Sequence, residues 1–146
     1  TTHAPSLIDL ASGAATPVKL RPTETSPGAD TTAVGYSPDG KLLAVAQLQS
    51  SGESVTLYDT ATWTKTESFR GNAFAFSPDG NTLAVGSNDT GPGVRLYRVA
   101  DGKGIGTLST AGELAHSPGA LAFSPDGDEL AAAEGLAGIE LWSVRP

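Results

Sequence analysis

The sequence predicts an all-β fold made of repeated, short antiparallel strands, and two observations carry that prediction. The first is composition: 18 Gly and 10 Pro in 146 residues make the chain turn-rich, and its apolar residues fall in short clusters rather than helical stripes. The second is a repeated turn. Ser-Pro-Asp-Gly occurs at Ser37 to Gly40, Ser77 to Gly80 and Ser124 to Gly127, each time after an aromatic residue, Tyr36, Phe76 or Phe123. The three copies stand 40 and 47 residues apart. Pro presets φ for the first central position of a type I turn, and Gly takes the left-handed conformation that closes a hairpin.

The flanks of the turn repeat with it. Before it, Val34, Phe74 and Leu121 alternate with small residues and then the aromatic, the period-2 pattern of a strand packed tightly on one face. After it come Leu43 to Ala46, Leu83 to Gly86 and Leu130 to Ala133, small apolar runs suited to a strand buried on both faces. A third strand follows at Val55 to Tyr58, Val94 to Tyr97 and Ile139 to Trp142. A fourth, less apolar one runs through Lys65 to Phe69 and Ile105 to Leu108. At the N-terminus, Ser6 to Asp9 and Ala15 to Leu20 fit the register of a third and a fourth strand. Four strands per repeat of roughly 40 to 45 residues is the arithmetic of a β-propeller blade. The expected organisation is a half-blade and loop over 1–32, blades over 33–71 and 72–119, and a blade without its outer strand over 120–146.

The pattern of "AFSPDG" and "LA", followed by "VRLY" or "IELW", resembles the WD-repeat propeller family over nearly the whole chain. Lactonase-like and TolB-like propellers use the same turn. The resemblance implies a protein-interaction scaffold. It also implies an Asp closing the third strand, present as Asp59 but replaced by Arg98 and Ser143 in the later repeats. The family's Asp between the second and third strands is matched by Asp89, with Gln49 and Leu136 at the other two positions. His116 is a loose counterpart of the family's His before the first strand.

Charge narrows the partners. Nine Lys and Arg against 16 Asp and Glu give a net charge of −7, which opposes the counterion release that nucleic acid rewards and repels anionic lipid. A protein partner is expected, with no nucleic acid and no membrane. From Gly104 to Val144 the acids Glu113, Asp126, Asp128, Glu129, Glu134 and Glu140 meet no Lys or Arg. A solvated acidic edge accounts for this run, and a basic partner would also suit it. The absence of Cys removes disulfides and thiolate metal sites and leaves the compartment open.

In a four-stranded meander, the first-to-second and third-to-fourth connections share one rim, and the remaining connections share the other. The first rim repeats closely. On the second, the connections Gln47 to Ser54, Ser87 to Gly93, Glu134 to Gly138, Arg21 to Thr32 and Ser109 to Gly119 differ in length, and loops of free length are where function tends to sit. Gln47, Gln49, Glu53, Asn88, Asp89, Glu113, His116 and Glu134 are the candidate binding residues there. For any single loop, permitted surface insertion is the plainer explanation.

Chemistry has little to build on. His3 and His116 are the two histidines, with no companion at zinc-ligand spacing, and there is no nucleophile elbow or phosphate-cradling loop. The sequence calls for no catalytic residue, metal or cofactor, so a non-enzymatic role is expected. The alternative is a lactonase-like enzyme with a metal at the central channel, but the inner strands carry no acid from Thr32 to Tyr36, Asn72 to Phe76 or Ala120 to Phe123. Trp63 stands in a third-to-fourth turn where Gly is usual. Finally, little more than three blades is short of the four to eight of a closed ring. That predicts a homodimer or the remainder of a longer propeller chain, because an isolated arc would leave the rows around Phe74, Phe76, Leu121 and Phe123 open to water.

Overall fold

The computed structural model describes residues 6–8, 11–12, 14–17, 30–87, 93–109, 118–133 and 138–144. Its strands are β1 (Ser6–Ile8), β2 (Ala15–Pro17), β3 (Asp30–Tyr36), β4 (Leu42–Gln49), β5 (Gly52–Asp59), β6 (Lys65–Arg70), β7 (Ala73–Phe76), β8 (Thr82–Ser87), β9 (Gly93–Arg98), β10 (Gly104–Ser109), β11 (Ala120–Phe123), β12 (Glu129–Ala133) and β13 (Ile139–Ser143). They form a hairpin β1-β2, two four-stranded meanders β3-β4-β5-β6 and β7-β8-β9-β10, and a three-stranded meander β11-β12-β13. Every pairing is antiparallel, as short connections between neighbours require. The strand succession is the one the repeats predict.

The same turn chemistry builds each first hairpin. In the first blade the Gly40 N–H donates to the Ser37 carbonyl at 2.8 Å, and the Ser37 hydroxyl donates to Asp39 Oδ1 at 2.7 Å. Asp39 Oδ1 also accepts the Lys41 N–H at 3.1 Å, and Ser37 Oγ accepts the Leu42 N–H at 3.0 Å. Ser77 with Asp79 and Ser124 with Asp126 repeat this network. The glycines that close the turns have φ of 72°, 73° and 78°, the left-handed region that only Gly enters at no steric cost.

Period-2 alternation gives each sheet two apolar faces, and the blades stack through them. Between the first two blades, Ala44, Ala46, Val55, Leu57 and Phe69 meet Leu83 and Val85, with Phe74, Phe76 and Tyr97 packed alongside. Phe69 and Tyr97 stack across this junction with ring centroids 4.3 Å apart. Gly35 leaves the room that the Phe74 ring fills, since a Cβ there would lie 3.1 Å from it. Between the second and third blades, Ala84, Val94, Leu96 and Leu108 meet Leu130, Ala132, Leu121, Phe123 and Trp142. Each buried aliphatic side chain of this kind is worth about 1.5–3 kcal/mol.

Burial differs from the sequence expectation in one respect. Phe74, Phe76, Leu121 and Phe123 are not open to water: each packs on the blade before it. The most exposed large apolar side chains lie at the two ends of the stack. Val34 and Tyr36 on β3, expected to be packed on one face, are exposed, as are Ile139 and Leu141 on β13. An inner strand is covered by the preceding blade, and β3 has no preceding inner strand among the described residues.

Candidate functional site

The structure separates the two rims. On the first, the outer turn of each blade is tied to the repeated inner turn. Thr60 N–H donates to the Lys41 carbonyl, Val99 N–H to the Asn81 carbonyl and Val144 N–H to the Asp128 carbonyl, each at 2.9 Å. Thr60 Oγ1 adds a bond to the Gly40 carbonyl at 2.9 Å. Consecutive turns also approach one another, because a Cβ on Gly80 would meet Pro38 at 3.7 Å and one on Gly127 would meet Pro78 at 3.5 Å. This rim is a hydrogen-bonded scaffold.

The third-to-fourth turns on that rim reach one geometry by different chemistry. Asp59 Oδ1 accepts the N–H groups of Ala61 and Thr62 at 2.9 and 2.8 Å and the Thr62 hydroxyl at 2.9 Å. These bonds, led by those from Thr62, hold the Asp59 carboxyl below its ordinary range. Where Arg98 replaces the family's Asp, its guanidinium donates to Asp101 Oδ2 at 3.0 Å instead. Trp63, with φ of 54°, occupies the left-handed position that Gly102 fills at φ of 65° in the next blade. Its side chain is half-buried, and the turn around it gives it a structural setting.

On the second rim, the first correction concerns the stretch from Gln47 to Ser54. It is not a loop. The β4–β5 ladder continues through it with Gln47 opposite Ser54, Leu48 opposite Glu53 and Gln49 opposite Gly52, so the connection shrinks to Ser50 and Ser51. Gly52, at φ of 115°, permits the sharp reversal. Beyond the pair equivalent to Ser87 and Gly93 in the next blade, this hairpin adds two more pairs. At about 3.3 Å per residue it extends roughly 7 Å beyond the described part of that ladder.

Alternation then sorts the candidates onto two faces. Gln47 and Gln49 share one face with Ser54: Gln49 Nε2 donates to Gln47 Oε1 at 3.5 Å and to Ser54 Oγ at 3.3 Å. Gln47 is buried, which removes it as a direct contact for a partner and leaves it as a support for Gln49. Glu53 and Leu48 point from the other face and are both exposed. The Glu53 carbonyl accepts the Gly71 N–H at 3.2 Å, so its backbone is anchored while its carboxylate is presented to solvent. Leu48 is the residue sequence reasoning missed. A Leu in a polar stretch reads as a strand end, whereas the paired register shows it at an exposed tip beside an acid. Asn88, Asp89, Glu113, His116 and Glu134 lie outside the described residues. Of the acidic run, Asp126 belongs to the third repeated turn, accepting bonds from Ser124 and Asp128.

Among the described residues no group of three or more His, Cys, Asp or Glu is placed to hold a metal ion. The described inner strands β3, β7 and β11 carry one acid, Asp30, at the very start of β3.

Antiparallel four-stranded meanders, stacked face to face with their first strands adjacent, define the class of the molecule as a β-propeller. Comparison with known proteins agrees. Residues 67–90 match the model of the WD domain, G-beta repeat, across the end of one blade and the first hairpin of the next. The chain is made of β-propeller blades, and within residues 67–90 it is similar to the WD repeat. Among solved structures, one similar chain is the Kuenenia stuttgartiensis hydrazine synthase, 23% identical, with a TM-score of 0.64 over 76% of this chain. This chain spans 32% of that one, and the likeness is one of architecture. With 455 solved chains matching, the architecture is too widely shared to indicate one activity. No curated protein matches.

Proposed function

We propose that the chain is a non-enzymatic scaffold that holds a protein partner on its second rim. The observation that carries this reading is the contrast between the rims. One is a repeated lattice in which Ser, Asp, Gly and backbone groups are engaged with one another. The other bears a projecting hairpin whose tip presents an exposed Leu48 beside the Glu53 carboxylate on a rigid ladder. An apolar side chain flanked by a charge suits a protein surface, with the apolar contact supplying affinity and the charge supplying register. A net charge of −7 favours a partner with a basic patch.

The test is affinity capture with the chain as bait from its native source, followed by identification of what is retained and titration with rim variants. Leu48→Ala and Glu53→Lys should each weaken the captured partner about tenfold or more, as truncation of a central interface residue does. Both should leave the melting temperature nearly unchanged. Equal weakening by Thr62→Ala or Asp101→Lys on the opposite rim would overturn the assignment.

A further inference from the structure

We infer that the row Asp30, Leu48 and Glu53 on the second rim receives an amphipathic helix of a partner protein, one that carries an apolar side chain between a cation four positions before it and a cation three positions after it. This names the partner's chemistry for the rim reading and rests on that reading.

Register builds the row. Asp30 on β3 and Glu53 on β5 both stand directly opposite Leu48 on β4. Directly opposed residues share a face, so the three side chains form a line across three strands. A bulge puts Asp30 in that line. Ala33 pairs with Ala46, and an unbroken ladder would then set Thr31 opposite Leu48 and turn Asp30 to the other face. Thr32 is the extra residue that shifts the register, and its hydroxyl donates to the Ala46 carbonyl at 3.3 Å.

The row is left uncovered by the blade beside it. Ala44, Ala46, Val55 and Leu57 continue the same face and are buried in the junction with Leu83 and Val85 of the second blade. Leu48 nevertheless stays 47% exposed, with Asp30 and Glu53 exposed on either side of it. Asp39, Asp59, Asp79 and Asp101 accept bonds within their own turns. Among the described residues, no cation or hydrogen-bond donor holds the Asp30 or Glu53 carboxylate.

Spacing selects the occupant. Neighbouring strands lie roughly 4.8 Å apart, so Asp30 and Glu53 stand about 10 Å apart with Leu48 between them. On a helix, positions i−4, i and i+3 share one face and span about 10.5 Å. On an extended segment the same-face positions i−2 and i+2 span about 13 Å. The helix is the closer match: its two cations complement the two carboxylates, and its apolar residue covers Leu48.

Nuclear magnetic resonance titration of the isotopically labelled full chain tests it. The probe is an end-capped, alanine-based peptide of about 15 residues, long enough to populate a helix, with Leu at i and Lys at i−4 and i+3. The amides of Asp30, Leu48 and Glu53 should shift saturably, while those of Asn81 and Gly102 on the opposite rim stay in place. An isomeric peptide with Lys at i−2 and i+2, which a helix turns away from the Leu, should bind about fivefold more weakly or worse. Asp30→Asn and Glu53→Gln should each weaken the first peptide about twofold to fivefold. Glu53→Lys should prefer a peptide in which one of the two Lys is Glu. Absence of saturable shifts, equal binding of the two isomers, or indifference to Asp30→Asn would overturn the inference. A captured native partner that depends on Leu48 and Glu53 but not on Asp30 would overturn it and leave the rim reading standing. Shifts confined to Asn81 and Gly102 would overturn both.

Discussion

Replacing Gly80 by Ala isolates the cost of the left-handed turn position. Its φ is 73°, and a Cβ there would touch the Pro38 ring at an ordinary 3.7 Å, so no clash accompanies the change. The penalty is backbone strain alone, about 1 kcal/mol for an L residue in that region. Gly40, at φ of 72° with nothing within 4 Å of its added Cβ, should lose the same amount. Gly71 provides the contrast. Its added Cβ would overlap the Gly86 carbonyl oxygen and Val85 Cγ1, neither of which can move without breaking the junction between β6 and β8. Gly71→Ala should therefore cost several kcal/mol or prevent folding. The assay is urea unfolding followed by circular dichroism at fixed chain concentration. For a domain of this size, 1 kcal/mol corresponds to a fall in melting temperature of about 3–4 °C. If Gly40→Ala and Gly80→Ala lose nothing, or Gly71→Ala loses no more than they do, the account of the turns is wrong.

Leu57→Ala, which empties a fully buried site between the first two blades, should destabilise the fold by about 2–5 kcal/mol in the same assay. Acid should act on the repeated turns. The Ser37 hydroxyl and the Lys41 N–H hold Asp39 below its ordinary range, and the Ser77 hydroxyl and the Asn81 N–H do the same for Asp79. A lowered folded-state pKa means their contribution is present above about pH 4 and lost as the pH falls through the lowered values. The melting temperature should drop as the pH falls below about 4, and the double variant Asp39→Asn with Asp79→Asn should flatten that drop. An unchanged slope would remove these carboxylates from the explanation. Ser77→Ala, which deletes both the donor to Asp79 and the acceptor of the Thr82 N–H, should destabilise more than Pro78→Ala, whose side chain is exposed and makes no hydrogen bond.

The strands were legible because apolar alternation and a turn with fixed backbone demands recur together. Leu83-Ala84-Val85 can only be a strand buried on both faces, and Ser-Pro-Asp-Gly states where it begins. Two things were not legible. The stretch from Gln47 to Gly52 carries no apolar period, yet it pairs, because ladder bonds satisfy backbone groups whatever the side chains are. Polarity alone therefore points to a loop and conceals the exposed Leu48. The second is which apolar row is uncovered. Val34 and Phe74 have the same place in the repeat, and burial is decided by the neighbouring blade rather than by the strand itself. A pattern within one strand contains no information about that neighbour.

Hydrogen exchange of the chain with and without its captured partner tests the central claim, that one rim is scaffold and the other receives the partner. Amides of Leu48 to Glu53 should gain protection on binding, while those of Lys41, Ala61 to Trp63 and Asn81 on the opposite rim should exchange at their unbound rates. Protection of those turns, with the β4–β5 tip unchanged, would contradict the account.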